Sequence, residues 1–181
     1  MTDERLIRVS KFLSKHLRHD PAGLGLTLAP GGWVDVSDLL NACAKNRLPL
    51  TRDELNEVVT SNNKQRFSFD EIGTRIRANQ GHSVNVDLQL VPATPPAVLY
   101  HGTGQQTADA IRRDGLRKMN RHHVHLSADA ETARIVGARH GRPVVFLVDA
   151  HAMHQAGHTF FRSDNGVWLV DDVPPAYLRE S

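Results

Sequence analysis

The sequence predicts an α+β protein of two lobes joined by a short proline-rich linker. Apolar residues recur at helical spacing through the first sixty residues, and strand-like alternation is interleaved with helical stretches in the second half. Between them lies Val91-Pro92-Ala93-Thr94-Pro95-Pro96, a run that neither a regular helix nor a central strand tolerates. We therefore expect an N-terminal lobe at residues 1–90, a linker at 91–97 and a C-terminal lobe at 98–181.

The chain begins with a predicted amphipathic helix that ends near Asp20 and Pro21. Arg18 and His19 would then project from its end. Its predicted buried face consists of Leu6, Ile7, Val9, Phe12, Leu13 and Leu17.

Two more helices and a hairpin complete the first lobe. The second helix follows Trp33-Val34 with Asp35 or Ser37 as its cap, and the third begins at Thr51, where Thr51-Arg52-Asp53-Glu54 forms a capping box. Alternation in residues 67–69 and 74–77 predicts two strands around a turn. Three helices and a hairpin are typical of a winged-helix-like lobe, with Arg66 and Arg77 on the wing.

The second lobe is predicted to be α+β, because short strands alternate with helices beyond the linker. The strand-like segments are 98–100, 124–126, 144–148, 158–161 and 167–170, and the helical ones are 108–113 and 130–139.

Composition narrows the class of protein. The chain has one cysteine, Cys43, which we expect in the core, so no internal disulfide is possible and a cytoplasmic location is expected. No apolar run approaches the roughly 18 residues of a membrane span, and no secretory signal is visible. We therefore expect no membrane association.

Bulk charge does not identify a nucleic-acid binder, since 22 Lys and Arg are balanced against 20 Asp and Glu. RNA binding would need a local concentration of positive charge, because phosphate contacts supply most sequence-independent affinity. Residues 112–121 are one such concentration, and their sequence is equally consistent with an RNA contact and with a solvated helix end.

Four short segments carry residue types suited to phosphate. Arg18, Arg66 and Arg139 each offer a planar, permanently charged fork for two phosphate oxygens, and His19 titrates near neutral pH. In the fourth, His101-Gly102-Thr103, a glycine directly after a strand could let a ligand approach the backbone.

Six segments in this order resemble the RNA 2'-phosphotransferase family known as Tpt1/KptA, and the resemblance covers nearly the whole chain. The segments are Ser14-Lys15-His16-Leu17-Arg18-His19, Trp33-Val34-Asp35-Val36, Arg77-Ala78-Asn79-Gln80-Gly81-His82-Ser83, Tyr100-His101-Gly102-Thr103, His125-Leu126-Ser127 and Asn165-Gly166-Val167-Trp168-Leu169.

The resemblance implies removal of an internal RNA 2'-phosphate, of the kind certain tRNA ligation routes leave, with NAD+ consumed as acceptor. It implies an ADP-ribosyltransferase-like split β-sheet in the second lobe. The implied NAD contacts are His101, Gly102, Thr103, His125 and Ser127. The implied phosphate clamp consists of Arg18, Arg66 and Arg139, and Arg139 would have to reach across a cleft. His19 is implied to position the phosphate or to transfer a proton. Many protein ADP-ribosyltransferases carry a glutamate where this chain has an apolar residue in Asn165-Gly166-Val167-Trp168.

Two other kinds of chemistry are disfavoured. The Gly-x-Gly-x-x-Gly fingerprint of hydride-transfer enzymes is missing, which favours NAD+ as a consumed substrate. His151, His154 and His158 could share a helical face, but no Cys or Glu cluster accompanies them, so we expect no metal.

Two alternatives to phosphate removal stay open. One is ADP-ribosyl transfer to terminal phosphates of RNA or DNA, and the other is a non-catalytic nucleic-acid-binding module. The expected partners are NAD and RNA bearing a 2'-phosphate, with no protein partner, so we expect a monomer.

Overall fold

The computed structural model describes residues 1–62 and 64–181. Internal contacts divide the chain into two units, Met1–Gln89 and Leu90–Ser181. Each unit combines helices with small antiparallel sheets, so the α+β class is confirmed. Within the described part of the chain, no helix combines the length and apolar character needed to cross a membrane.

The described part of the N-terminal unit, residues 1–62 and 64–89, contains three α-helices and one three-stranded sheet. Its elements are α1 (Asp3–Arg18), β1 (Val34–Asp35), α2 (Val36–Lys45), α3 (Arg52–Thr60), β2 (Phe67–Phe69) and β3 (Arg75–Ala78), with a 3-10 helix at Pro21–Leu24. The strands lie in the order β1-β3-β2, and both pairs are antiparallel. The predicted helices and hairpin are therefore present.

Helix α1 buries the stripe formed by Val9, Leu13 and Leu17, all 0% exposed. The prediction that Ile7 shares this face is wrong, because its side chain is 54% exposed. Ile7 is two residues before Val9, which places it about 200° around the helix.

The capping bonds predicted for α2 and α3 form in this unit. Asp35 caps α2 by accepting a hydrogen bond from the Ser37 backbone N–H at 2.9 Å. At the start of α3 both capping-box bonds form: Thr51 accepts from the Glu54 backbone, and the Glu54 carboxylate accepts from the Thr51 backbone. Cys43 lies in the core as expected, and burial raises the pKa of its thiol to about 11.

The C-terminal unit contains three α-helices, a 3-10 helix at Pro175–Tyr177 and eight short strands. The α-helices and strands are β4 (Leu99–Gly104), α4 (Gln105–Asp114), β5 (Leu116–Arg117), β6 (Val124–Leu126), α5 (Ala130–Ala138), β7 (Pro143–Val148), α6 (Ala150–Gln155), β8 (Phe161–Arg162), β9 (Trp168–Val170), β10 (Asp172–Val173) and β11 (Leu178–Glu180). The sheets have the orders β11-β7-β4, β6-β9-β8 and β10-β5, with every pair antiparallel.

Sequence reasoning misread parts of this unit. The strand expected at 158–161 begins only at Phe161, and α6, β5, β10 and β11 were not predicted. The strands that were not predicted are two or three residues long, which is too short to show an alternation of apolar and polar residues.

Helix α5 packs against β4 at unusually close range. A Cβ built on Gly102 would lie 1.6 Å from the Ala133 carbonyl oxygen, and one built on Gly137 would lie 2.8 Å from the Thr103 carbonyl oxygen. Backbone contacts at this distance leave no room for a methyl group. The missing side chain of Gly102 therefore serves helix packing on that side of the strand.

Candidate functional site

The N-terminal unit contains a cavity of about 530 Å³ beside α1 and α3 and the chain that leads into β2. Arg18 and Arg66, predicted separately from distant segments, both line it. The described lining residues are Leu6, Ile7, Ser10, Lys11, Ser14, Arg18, Val58, Ser61, Asn62, Lys64 and Arg66. Four are cationic and none is Asp or Glu, so the cavity is suited to an anion.

Two asparagines position Arg66. The backbone N–H of Asn79 donates to the Arg66 carbonyl at 2.9 Å, and the Asn79 side chain donates to the Gln65 carbonyl at 2.6 Å. The Asn62 side-chain oxygen accepts from Arg66 Nη1 at 3.5 Å. These bonds hold the residue on both its backbone and its guanidinium.

Arg77 has different neighbours from Arg66. Its guanidinium lies 4.4 Å from the centre of the Trp33 ring, and its Nη1 is 3.4 Å from the Gly31 carbonyl. Arg66 lies just before β2 and lines the cavity, and Arg77 lies in β3, so both belong to the predicted hairpin region.

Ser83 positions the end of α1. Its backbone N–H donates to the Arg18 carbonyl at 2.9 Å, and its hydroxyl lies 2.8 Å from His19 Nδ1. His19 is not among the residues that line the cavity. Ser83 and Asn79 both belong to the segment Arg77–Ser83, which sequence reasoning used only to recognise a resemblance. That segment binds Arg18, His19 and Arg66, three of the four residues predicted to contact phosphate.

In the C-terminal unit, His101, His125 and Ser127 lie together. His101 Nδ1 is 3.1 Å from the His125 carbonyl oxygen. Ser127 pairs with Tyr100, the residue before His101, through two backbone bonds of 2.9 and 2.7 Å. The strand β4 and the end of β6 thus bring these three predicted NAD contacts to one place.

The tautomer of His101 follows from its partner and its burial. A carbonyl oxygen can only accept, so Nδ1 carries the hydrogen and Nε2 is left as an acceptor in the neutral ring. Burial lowers the pKa of His101, and the bond to the His125 carbonyl opposes this only in part. At neutral pH the ring is therefore uncharged.

The Thr103 side chain is buried and hydrogen-bonded within the unit. Its hydroxyl bonds to the Thr107 hydroxyl, which in turn donates to the Gly104 carbonyl at 3.0 Å. Because Thr107 donates there, Thr103 is the donor to Thr107. The hydroxyl of Thr103 is thus directed at α4.

Arg139 is exposed at the C-terminal cap of α5. The turn that follows is tied to the start of α4, because Gln106 Nε2 donates to the His140 carbonyl at 2.6 Å and the Gln105 backbone N–H donates to the Arg142 carbonyl at 2.9 Å. A cation at a helix C-terminus is also favoured by the helix dipole.

Three of the five cations in residues 112–121 lie beside acids. Arg112 pairs with Glu180 and Asp109, Arg113 pairs with Asp114, and Lys118 lies 4.0 Å from Asp171. These pairs favour a solvated helix end over an RNA contact.

Among residues 1–62 and 64–181, no group of three or more His, Cys, Asp and Glu side chains is arranged to hold a metal ion. Helix α6 ends at Gln155, so His158 does not share a helical face with His151 and His154. His158 packs edge-on against Tyr177 instead.

The structure is that of an α+β protein with a cavity lined by four cationic side chains in its first unit and, in its second unit, a neutral histidine with an acceptor nitrogen. Comparison with known proteins makes the class specific. The model of the RNA 2'-phosphotransferase, Tpt1/KptA family matches residues 4–172.

Similar proteins span the whole chain. A protein of Nostoc punctiforme named probable RNA 2'-phosphotransferase is 64% identical over 180 residues, covering 99% of both chains. Proteins of the same name from Herpetosiphon aurantiacus and Streptomyces coelicolor are 61% and 58% identical, covering 98% and 99% of this chain and 98% and 97% of their own. The chain belongs to the RNA 2'-phosphotransferase family.

Proposed function

We propose that this protein is an NAD-dependent RNA 2'-phosphotransferase that removes an internal 2'-phosphate of the kind tRNA splicing leaves. The observation that carries the proposal is the cavity that Arg18 and Arg66 line together, in a chain whose family is named for this activity. Two guanidinium groups in one cavity match the charge and the planar oxygen pairs of a phosphate monoester.

The proposed reaction has two steps. An oxygen of the RNA 2'-phosphate first attacks the anomeric carbon of the nicotinamide ribose, and the bond to nicotinamide breaks. The neighbouring ribose 2''-hydroxyl then attacks phosphorus, and the bond from phosphorus to the RNA O2' breaks. The RNA oxygen takes up the proton, and the products are RNA with a 2'-hydroxyl, nicotinamide and ADP-ribose 1'',2''-cyclic phosphate.

The residues are assigned by the charge that each step develops. Both steps gather negative charge around one phosphorus, so fixed cations are the largest available source of stabilisation. We assign Arg18, Arg66 and Arg139 to the phosphate and His19 to its positioning or to proton transfer. The Ser83 hydroxyl would restrict the His19 ring to one orientation during that transfer.

We assign NAD+ binding to the C-terminal unit, with an ADP-ribosyltransferase-like arrangement. We assign RNA binding to the N-terminal unit, with a winged-helix-like arrangement. A neutral His101 suits this role, because its Nε2 can accept a hydrogen bond from a ribose hydroxyl and adds no positive charge beside a cationic nicotinamide ring. Ser127 would contribute a hydroxyl beside it. No metal is assigned, since three guanidinium groups supply the charge that a metal often provides in phosphoryl transfer.

The test is incubation of the protein with a 2'-phosphorylated oligonucleotide, with and without NAD+, and mass analysis of every product. We expect dephosphorylated RNA and ADP-ribose cyclic phosphate only with NAD+, and the same yield in EDTA. A persistent ADP-ribosylated RNA would favour transfer to terminal phosphates instead. Binding without NAD+ consumption would favour a nucleic-acid-binding module.

A further inference from the structure

The cavity of the N-terminal unit extends well beyond Arg18 and Arg66. Along α1 it is lined by Ile7, Lys11, Ser14 and Arg18, at the spacing of one helical face. Lys11 and Arg18 are seven residues apart, so their backbones are separated by about 10 Å along the helix. The cavity volume of about 530 Å³ is within the range of about 300 to 1,000 Å³ that holds whole small molecules. There is room for more than one phosphate group.

Two acids of the adjacent helix α3, Glu54 and Glu57, are paired with cations outside the described cavity lining. Glu54 is bonded to Arg5 at 2.8 and 3.1 Å, and Glu57 is paired with the N-terminal amine at 3.2 Å. Neither Arg5 nor Met1 lines the cavity.

The rim of the cavity is preorganised by Asn62. Its side-chain oxygen accepts from the Lys64 backbone N–H at 3.0 Å as well as from Arg66, and its amide donates to Ser10 on α1 at 3.4 Å. One side chain therefore connects α1 to the segment that carries both Lys64 and Arg66. Binding at such a site loses little additional chain entropy.

We propose that Lys11 and Lys64 form a second anion subsite, which binds a backbone phosphodiester of the RNA next to the nucleotide that carries the 2'-phosphate. Ser10, Ser14 and Ser61 line the same cavity and supply hydroxyl donors for its oxygens. The exposed Ile7 and the half-buried Leu6 at its far end give the adjoining sugar or base an apolar surface. This inference rests on the proposed function for the identity of the first phosphate.

The subsite makes the protein distinguish an internal 2'-phosphate from a free nucleotide. A nucleoside 2'-monophosphate offers only the group that Arg18 and Arg66 hold. An oligonucleotide adds the phosphodiester that Lys11 and Lys64 hold, and its affinity acquires one more salt-sensitive contact.

The experiment measures equilibrium binding of two probes, a 2'-phosphorylated trinucleotide and adenosine 2'-monophosphate, at several salt concentrations without NAD+. We expect Lys11→Ala to raise the Kd of the trinucleotide about tenfold and to lessen its salt slope by about 0.7, while leaving the monophosphate Kd unchanged. We expect Lys64→Ala to have the same effects on the two Kd values. Lys15→Ala, on the same helix but outside the cavity lining, is the matched control and should match wild type.

Several results would overturn the subsite. If Lys11→Ala weakens the binding of both probes equally, Lys11 contacts the 2'-phosphate itself. If Lys11→Ala leaves trinucleotide binding unchanged, or if the wild-type protein does not bind the trinucleotide, the subsite does not exist. The proposed function fails in a different way: wild type would bind the trinucleotide with the expected dependence on Lys11 and yet release no phosphate product when NAD+ is added.

Discussion

The Ser83 hydroxyl oxygen lies 2.8 Å from Nδ1 of His19, and the two residues are 64 positions apart in the chain. The same serine binds the Arg18 carbonyl through its backbone N–H. Side chain and backbone of one residue thus orient the two consecutive residues that we assign to the phosphate.

We expect Ser83→Ala to lower kcat about tenfold with little change in KM for RNA, because the backbone bond to Arg18 survives and the contact between the Ser83 hydroxyl and the His19 ring is lost. Ser83→Thr keeps a hydroxyl and should recover most of the rate. Steady-state kinetics with Thr27→Ala, an exposed loop hydroxyl, as control checks this. A change in KM alone would assign Ser83 to RNA binding rather than to His19.

Arg139→Ala should slow the phosphate-transfer step more than the release of nicotinamide, because charge on phosphorus develops furthest in the second step. ADP-ribosylated RNA should then accumulate in a single-turnover time course followed by mass analysis. Arg142→Ala removes a nearby exposed arginine and should behave like wild type. Wild-type turnover of Arg139→Ala with no trapped intermediate would exclude Arg139 from the clamp.

Arg66→Lys should lower kcat/KM by about 10- to 100-fold although it keeps the positive charge, because an ammonium group cannot make the planar two-point contact with phosphate oxygens. The lysine also loses the bond that Nη1 makes to Asn62. Arg8→Lys, on an exposed part of α1, is the control for the exchange itself. Full activity of Arg66→Lys would show that charge alone suffices.

Gly102→Ala should destabilise the C-terminal unit by about 3 kcal/mol and lower Tm by roughly 10 °C, because the new Cβ meets the Ala133 carbonyl. The obstacle is backbone, so adding Ala133→Gly should not restore stability. Thermal unfolding of the single and double variants, without ligand, measures this. If Gly102→Ala unfolds at the wild-type Tm, helix packing does not require the glycine, and contact with a ligand remains as the reason for it.

The pH dependence of stability should report the burial of His101. Its folded-state pKa lies below the ordinary value of 6.5, so the unfolded state binds the proton more readily. The stabilisation is present above that value and is lost as pH falls toward the folded-state pKa. Urea unfolding between about pH 7.5 and 5 should therefore show a steeper loss in wild type than in His101→Gln. His151→Gln, at an exposed site, should follow wild type.

The sequence was most informative where the cause of structure is local. The capping box joins Thr51 to Glu54 within one helical turn, and the burial of Val9, Leu13 and Leu17 follows from their spacing on one helix. Such features depend on neighbours three or four residues away, so the residue types are enough to predict them. Side-chain chemistry makes Arg18 and Arg66 candidates for phosphate contacts, and the family resemblance assigns them to the clamp.

Tertiary structure alone decided which of these residues meet and what holds them. Arg18 and Arg66 share a cavity, while Arg77 stacks on Trp33. The bond from Ser83 to His19 and the approach of Ala133 to Gly102 have no local signal, because each joins segments distant in the chain. Contacts of that kind are set by how helices and strands pack, and packing depends on the shape of the whole unit rather than on any short pattern.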